Sequence, residues 1–486
     1  MTSDETNEIE VELKLELSPE GADVLEASGL FGGAAERVRQ YATYFDTPNH
    51  DLARAGLSLR IRRNGERRVQ TVKAGAAAAG MFIRPEWERE VADDQPIIDH
   101  STPIPALLGE KIGAIAPVFT VENERRIWNV EGIEVALDQG RIIAGDRESM
   151  LQEVELERKS GDPAGLFALA RQIDAAAPVH LGVLSKAERG YRLLGPVVSR
   201  AKAEPVVLDR AMTAAAACQA IANACLRHFR LNVPLVLDSR DAGALHQARV
   251  ALRRLRSALA IHRDMLIDGR SAPFNDDLRW LAGELGMARD IDVLIERAGE
   301  GTIQARLQFA RKEAYDNAAA ALQSDRARIL LLDVVEWISF GQWLSLKQTV
   351  DIREMPARDF AEGALQRFRR KVKKSGRHLE QLDDEARHSV RKAAKKLRYA
   401  TEFFAGLYDQ KREKRRHKRF VSALETLQDR LGVLNDHAGT PELLGRLGLA
   451  GEPDAAALVG KGPDPRLLEA AAEDYEALVD AKRFWR

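Results

Sequence analysis

Cysteine is almost missing from this chain: two in 486 residues, Cys218 and Cys225, seven apart in an Ala-rich run of helical period. Side chains at that spacing share one helix face and point the same way, so they read as small core residues and not as a disulfide. Disulfide scaffolds of secreted proteins are thereby excluded. Long apolar runs are missing as well, which excludes a membrane-spanning role. The opening MTSDETNE is acidic and polar, unlike a signal or transit peptide. The expectation is a cytoplasmic chain with no membrane partner. Aromatics are scarce at 6%. Net charge of either sign is lacking too, at −1 overall.

What is present is a globular composition, 45% hydrophobic and 30% charged, in a chain too long for one typical core. The near-zero net charge conceals two unlike parts. Residues 1–200 carry 24 basic and 33 acidic side chains, whereas 201–486 carry 49 and 41. Opposite signs point to two modules with different electrostatic tasks. The punctuation in LLGPVVSRAKAEPVVLD, around 195–208, marks the boundary between them. The expected domains are 1–200 and 205–486.

Before the boundary, short runs alternate at period two: LSLRIRR (57–63), RVQTVKA (68–74), EWEREV (86–91), RRIWNV (125–130), IEVALDQG (133–140) and LQEVELERK (151–159). DQG at 138–140 predicts a hairpin turn. PEGADVLEA and DPAGLFALARQI carry helix-start chemistry instead. In EIEVELKLEL, Glu8, Glu10, Glu12, Lys14 and Glu16 fall on one strand face and Ile9, Val11, Leu13, Leu15 and Leu17 on the other. One such strand fits a solvated face. Arg60 and Arg62, Glu134 and Asp138, and Glu153, Glu155 and Glu157 repeat the pattern, however, with charges of both signs. An open sheet would solvate those faces, whereas a closed one would enclose acids and bases together, its apolar exterior covered by helices. Such a lumen suits a polyanionic phosphate: Arg and Lys match its oxygens, and clustered carboxylates are compatible with it once they hold Mg²⁺ or Mn²⁺.

EVELK (10–14) resembles the ExExK signature of the CYTH family, the triphosphate tunnel metalloenzymes. TYFDT (43–47), LSLRIR (57–62), TVK (71–73), RPEWE (84–88), ENERRIW (122–128), VALDQG (135–140), EVELE (153–157) and LSKAERGY (184–191) follow in the same order. The resemblance implies an antiparallel eight-stranded β-barrel with flanking helices that hydrolyses or cyclises a triphosphate. Carried over by position, Glu10, Glu12, Glu153 and Glu155 are the implied metal ligands, with Asp138 a further acid. Lys14, Arg60, Arg62, Lys73, Arg125 and Lys186 are the implied triphosphate clamp. The register of Arg84 and Glu86 stays ambiguous.

After the boundary the chain reads as all-α, rich in Ala, Leu, Arg and Glu. LHQARVALRRLRSAL and RHSVRKAAKKLRYAT align. His246, Arg249, Arg253 and Arg256 match His388, Arg391, Lys395 and Arg398 at offsets 0, 3, 7 and 10, and Arg254 matches Lys396 at offset 8. On an α-helix the first four offsets fall within an arc of roughly 80°. LGMARD (285–290) and LGVLND (431–436) follow the two stripes, so an internal duplication is the economical reading. A single stripe would fit a solvated face. Two copies with few acids at i±4 fit a bound anion better, because like charges on one arc destabilise a helix. Nucleic acid ranks behind, since no aromatics interleave with the basic residues and no base-reading motif is present. The basic run KREKRRHKR (411–419) reads as a solvated helix end.

This part resembles the CHAD family, helical domains with conserved histidines, on HxxRVxxRRLRS (246–257), RWLAGELGMARDIDVL (279–294) and HSVRKAAKKLRY (388–399). The resemblance implies two helical halves with a basic groove for inorganic polyphosphate, and the stripe residues named above become its ligands. Together the two resemblances imply an Mg²⁺- or Mn²⁺-dependent inorganic triphosphatase with an appended polyphosphate-binding domain, associated with polyphosphate granules. The alternatives are a non-catalytic polyphosphate binder and an enzyme for an organic triphosphate such as ATP or thiamine triphosphate.

Overall fold

The computed structural model describes residues 9–75, 81–452, 454–459 and 465–486, in two compact units. The first unit comprises Met1–Ser199 together with Asp325–Phe340, and the second Arg200–Ser324 and Gly341–Arg486.

The first unit is built on one antiparallel sheet. Its strands are β1 (Ile9–Glu16), β2 (Glu36–Asp46), β3 (Leu57–Asn64), β4 (Arg67–Ala74), β5 (Met81–Glu90), β6 (Ala116–Val130), β7 (Ile133–Ala144), β8 (Arg147–Arg158) and β9 (His180–Leu181). The order is β5-β4-β3-β2-β6-β7-β8-β1-β9, and β5 also pairs with β1. That last pairing closes eight strands into a ring, with the two-residue β9 appended to β1. Closure leaves each strand with one face inward and one outward. Apolar residues of the outward set pack under short helices: Leu57, Leu59, Ile61 and Val72 bury against Leu52, Ile104 and Leu108.

One expected turn is absent. Asp138, Gln139 and Gly140 lie inside β7, paired with Glu153, Gln152 and Leu151. The chain reverses instead at Glu131–Gly132, where φ is 49° and 83°, and at Gly145, where φ is 63°. Gly140 serves a different need, because a Cβ there would come within 2.0 Å of the Glu122 carbonyl oxygen on β6.

Two helices finish the barrel, α1 (Ala164–Ala176) and α2 (Lys186–Leu194). Ser185 and Glu188 form a reciprocal capping box that starts α2 at Lys186. The helix packs on barrel residues: Ala187 belongs to one apolar cluster with Ala42, Tyr44, Phe119, Val121 and Leu151, and Tyr191 packs against it. Gly190 permits that approach, since a Cβ would meet the Phe119 ring at 2.2 Å. The helix Asp325–Phe340 groups with this unit although it lies within the helical part of the chain. It packs on α1: Arg328 Nε donates to Asp174 at 2.6 Å, Arg171 Nε donates to Asp333 at 3.0 Å, and Phe340 meets Phe167 edge-on.

The long helices of the second unit are α3 (Ala214–Ser239), α4 (Ala242–Ile261), α5 (Ser271–Arg297), α6 (Thr302–Gln323), α7 (Ala357–Ser375), α8 (Asp384–Phe403), α9 (Lys411–Arg446) and α10 (Pro465–Asp480). The duplication is visible in detail. The stripe helices α4 and α8 are capped alike, Asp241 accepting from Ala244 N–H at 2.7 Å and Asp383 from Ala386 N–H at 2.8 Å. The two helices pack against each other. Cys218 and Cys225 are free and buried on α3. Among the described residues, no single helix is long and apolar enough to cross a membrane.

Candidate active site and anion groove

The barrel encloses a cavity of about 380 Å³. Strand register decides what faces it. Arg60 and Arg62 alternate inward on β3, and Lys73 on β4 lies opposite Glu86 on β5. Glu88 lies two residues further on, accepting from the Thr71 hydroxyl at 2.8 Å. Arg60 and Arg62 repel each other. That repulsion, with burial, brings Arg62 down to about 10, still cationic at neutral pH. The Nε–H groups of both arginines are buried and have no hydrogen-bond partner. Two crowded guanidiniums with idle donors form a site that an anion would complete.

Across the cavity lies the opposite charge. β7 and β8 pair Asp138 with Glu153 and Ala136 with Glu155, while β1 and β8 pair Lys14 with Glu155. One oxygen from each of Asp138, Glu153 and Glu155 lies within 4.8 Å of the others. Lys14 and Lys186 enter this cluster. Lys14 Nζ donates to Glu153 at 2.8 Å and also to Glu155, and lies 3.4 Å from Glu12. Lys186 Nζ reaches Asp138, Glu153 and Glu155 at 2.7, 2.6 and 2.7 Å. Arg125 clasps Asp138 through Nε and Nη2 at 2.8 and 2.6 Å and also meets Glu155. Burial opposes the ammonium forms, yet the carboxylates outweigh it and raise Lys14 and Lys186. Burial likewise opposes ionised Glu155, but Lys14, Lys186 and Arg125 hold it well below the usual carboxylate range.

These residues fit a hard divalent cation. Glu153 Oε2 is buried with no hydrogen-bond partner, Arg189 Nη2 lies 4.0 Å from it, and the neighbouring side chains Asp138 and Glu155 offer further carboxylate oxygens. Glu12 is buried beside them. Glu10 sits in the same strand register, opposite Arg84, with both side chains outside the described residues.

Sequence reasoning left Glu86 undecided and did not find Glu88, although the pairing of Lys73 with Glu86 follows once β4 and β5 are aligned. Asp46 and Tyr191 were present only as letters of larger motifs. Their contact fastens α2, and so Lys186, to the barrel.

The second unit holds a groove of about 1070 Å³. Of the stripe residues, Arg253, Arg256, His388, Lys395 and Lys396 line it. Arg263, Arg279, Lys371 and Lys392 join them from outside the stripes, and no carboxylate is among the described lining residues. Burial and the nearby Lys371, Arg256, Arg263 and Lys392 lower Lys396. Arg253 Nε is buried and has no hydrogen-bond partner. Other stripe residues face elsewhere. Arg254 pairs with Glu402 and lies over the Phe403 ring, and Arg398 Nε is 3.3 Å from the same Glu402. Burial, then Arg289, Arg253, Arg249 and Lys395, bring His246 down to about 4, so it is neutral at pH 7. The repeated LG pairs also gain a reason. A Cβ on Gly286 would stand 3.1 Å from Arg249 Nη1, and one on Gly432 would stand 3.4 Å from Arg391 Nη2. Each glycine seats the arginine at offset 3 of its own repeat.

With this geometry in hand, residues 8–191 match the CYTH domain family and residues 220–445 the CHAD domain family. The chain carries a CYTH domain followed by a CHAD domain. An inorganic triphosphatase of Haemophilus influenzae is 34% identical over 206 residues, which is 38% of this chain and 54% of that protein's length. An uncharacterised protein of Mycobacterium tuberculosis is 29% identical over 416 residues, 74% of each chain. Among solved structures, the CHAD domain from the plant Ricinus communis is 28% identical with a TM-score of 0.47, covering 58% of this chain and 93% of that one.

Proposed function

We propose that the CYTH barrel, residues 1–200, hydrolyses inorganic triphosphate to diphosphate and phosphate, and that the CHAD helices, residues 205–486, bind inorganic polyphosphate. One observation carries the first part: the cavity inside the barrel brings together the paired Arg60 and Arg62, with their idle Nε donors, and buried carboxylates that can hold a metal. The partial match to an inorganic triphosphatase supports the same reading. Inorganic triphosphate is favoured over an organic one because Tyr44 is the only aromatic among the described lining residues. It is buried and one face of its ring is already stacked on Phe119 at 4.6 Å, so the lining offers no aromatic cage for a base or thiazolium. The volume also sits near the lower end of small-molecule sites.

In this reading Arg60, Arg62 and Lys73 hold the phosphate oxygens by charge-assisted hydrogen bonds and align the chain for in-line attack by water. Water's oxygen bonds to the terminal phosphorus as the bridging P–O bond breaks, the electron pair leaves with the diphosphate, and the water's protons end on oxygens of the released phosphate and diphosphate. Arg125, already fixed by Asp138, is preorganised to meet developing charge without reorganising. Mg²⁺ or Mn²⁺ held by Glu10, Glu12, Asp138, Glu153 and Glu155 would supply further neutralisation of that charge. Enclosure strengthens every one of these terms.

The groove reading rests on eight Lys and Arg side chains, with His388 beside them, and no carboxylate among its described lining residues. A linear, charge-dense, featureless anion needs repeated cations and no base readout. The deciding experiment is phosphate release from tripolyphosphate, ATP and thiamine triphosphate with Mg²⁺, with Mn²⁺ and with chelator. Turnover of tripolyphosphate alone, abolished by chelation, is the expected result. Absence of turnover with either metal would leave only the non-catalytic reading.

A further inference from the structure

Lys186 Nζ stands among the carboxylate oxygens that would ligate a metal. An ammonium has three hydrogens, and here each is directed at a different carboxylate: Asp138 Oδ2, Glu153 Oε1 and Glu155 Oε1, at 2.6–2.7 Å. Lys14 engages Glu153 Oε1 and Glu155 Oε1 a second time. A divalent cation on these three side chains needs oxygens already bonded to ammonium hydrogens, at a shorter distance than an ammonium keeps. With Lys14 and Arg125 already on the same carboxylates, a divalent cation added beside Lys186 would meet strong repulsion where water is excluded. Lys186 and Lys14 both also line the cavity with Arg60, Arg62 and Lys73, so each ammonium has somewhere to turn.

From this juxtaposition, and resting on the metal-dependent reading above, we infer that Lys186 is an internal cation that competes with the divalent metal for the Asp138–Glu153–Glu155 tripod. Metal loading then requires Lys186 to leave the tripod for the cavity, where the triphosphate offers new acceptors. Lys186 is in this sense a positioning residue for the metal as well as a member of the clamp. Its place on the first turn of α2 suits the exchange: the helix is pinned behind it by its capping box and by Tyr191, while the long side chain alone moves.

The test is Mn²⁺ titration of the full chain without any phosphate, followed by loss of the free-ion electron paramagnetic resonance signal. Lys186→Met is expected to bind Mn²⁺ at least tenfold more tightly than wild type, and Glu153→Gln in the Lys186→Met background to lose that gain. Equal affinity in wild type and Lys186→Met would overturn the inference. Should Lys186→Met fail to fold, wild type and Glu153→Gln decide between them. Weak Mn²⁺ binding that Glu153→Gln leaves unchanged supports the competition, and tight binding that Glu153→Gln abolishes refutes it. The readout is independent of catalysis. Wild type that releases no phosphate from tripolyphosphate at saturating Mn²⁺ sinks the triphosphatase reading, whereas unchanged Mn²⁺ affinity in an active enzyme sinks only the competition.

Discussion

Tyr191 Oη donates to Asp46 Oδ2 at 2.8 Å, joining α2 to the end of β2. Asp46 is fully buried and also accepts from the backbone N–H groups of Thr47, Leu52 and Ala53 at 2.7, 2.9 and 3.0 Å. Two motifs far apart in sequence, TYFDT and SKAERGY, are therefore one structural device. Burial and the Asp46 carboxylate raise the Tyr191 hydroxyl, which stays a donor across the physiological range.

Tyr191→Phe removes one hydrogen bond to a charged acceptor and is expected to cost about 1.5–3 kcal/mol. Asp46→Ala strands several donors at once and should cost more. Urea denaturation of the full chain measures both. Because Tyr191 fastens the helix that carries Lys186, tripolyphosphate turnover in Tyr191→Phe should fall further than its stability loss explains at a temperature where it stays folded.

Neighbouring stripe residues should behave differently. Arg253 faces the groove, whereas Arg254 pairs with Glu402 and stacks over Phe403. Arg253→Ala is expected to weaken polyphosphate binding and to reduce the slope of log affinity against log salt by about one. Arg254→Ala should leave that slope unchanged while lowering stability by about 3 kcal/mol, since a mostly buried ion pair is broken from one side. Affinity measured across a salt series, beside a thermal melt, separates them. Equal loss of slope in both variants would place the anion elsewhere.

A third expectation concerns the helix Asp325–Phe340. Arg328 and Asp174 are both buried, and Asp174 also accepts from Val179 N–H at 3.0 Å. Asp174→Ala leaves a buried guanidinium with one carboxylate fewer, and about 3–5 kcal/mol of stability should go with it. Hydrogen exchange should rise in both α1 and Asp325–Phe340, because each buries its face on the other.

Much of this was legible from period and spacing alone. Alternation on β1, β3, β7 and β8 gives the inward charges, because a strand's side-chain period is fixed at two. The helical stripes are less forgiving. An arc of 80° is wide enough for its members to part company on a packed helix: Arg253 reaches the groove while Arg398, from the same set of offsets, meets Glu402. DQG looked like a turn because glycine marks turns and close approaches alike, and only the position of β6 shows that Gly140 is the second kind. The helix 325–340 is more apolar than its neighbours in sequence, but that says only that it is buried and not against what. Its partners, Arg171 and Asp174, are distant in sequence, and pairing over such distances has no local signal.

Acid should weaken the helical unit in a defined window. His262 is fully buried and stacked on Phe360 at 4.9 Å, with Phe404 edge-on and Nδ1 2.8 Å from the Ala258 carbonyl oxygen. Burial, with a smaller contribution from Arg367, pushes it down to about 4. In the unfolded chain it takes up a proton near the ordinary pKa of about 6.5. Between those two values the unfolded state binds more protons than the native one, so stability falls as pH is lowered through that window and is complete above it. From pH 7.5 to 5 the loss attributable to His262 is about 2 kcal/mol. His228, also lowered to about 4 by burial and then by Arg254, adds to the same slope. His262→Leu removes the titrating group, and its unfolding free energy should depend less steeply on pH even where the stacking lost with the ring lowers its absolute value. Urea midpoints at pH 7.5, 6 and 5 for both proteins give the comparison, and an unchanged pH slope in His262→Leu would mean that the ring takes up its proton at the same pH in the native and unfolded chains.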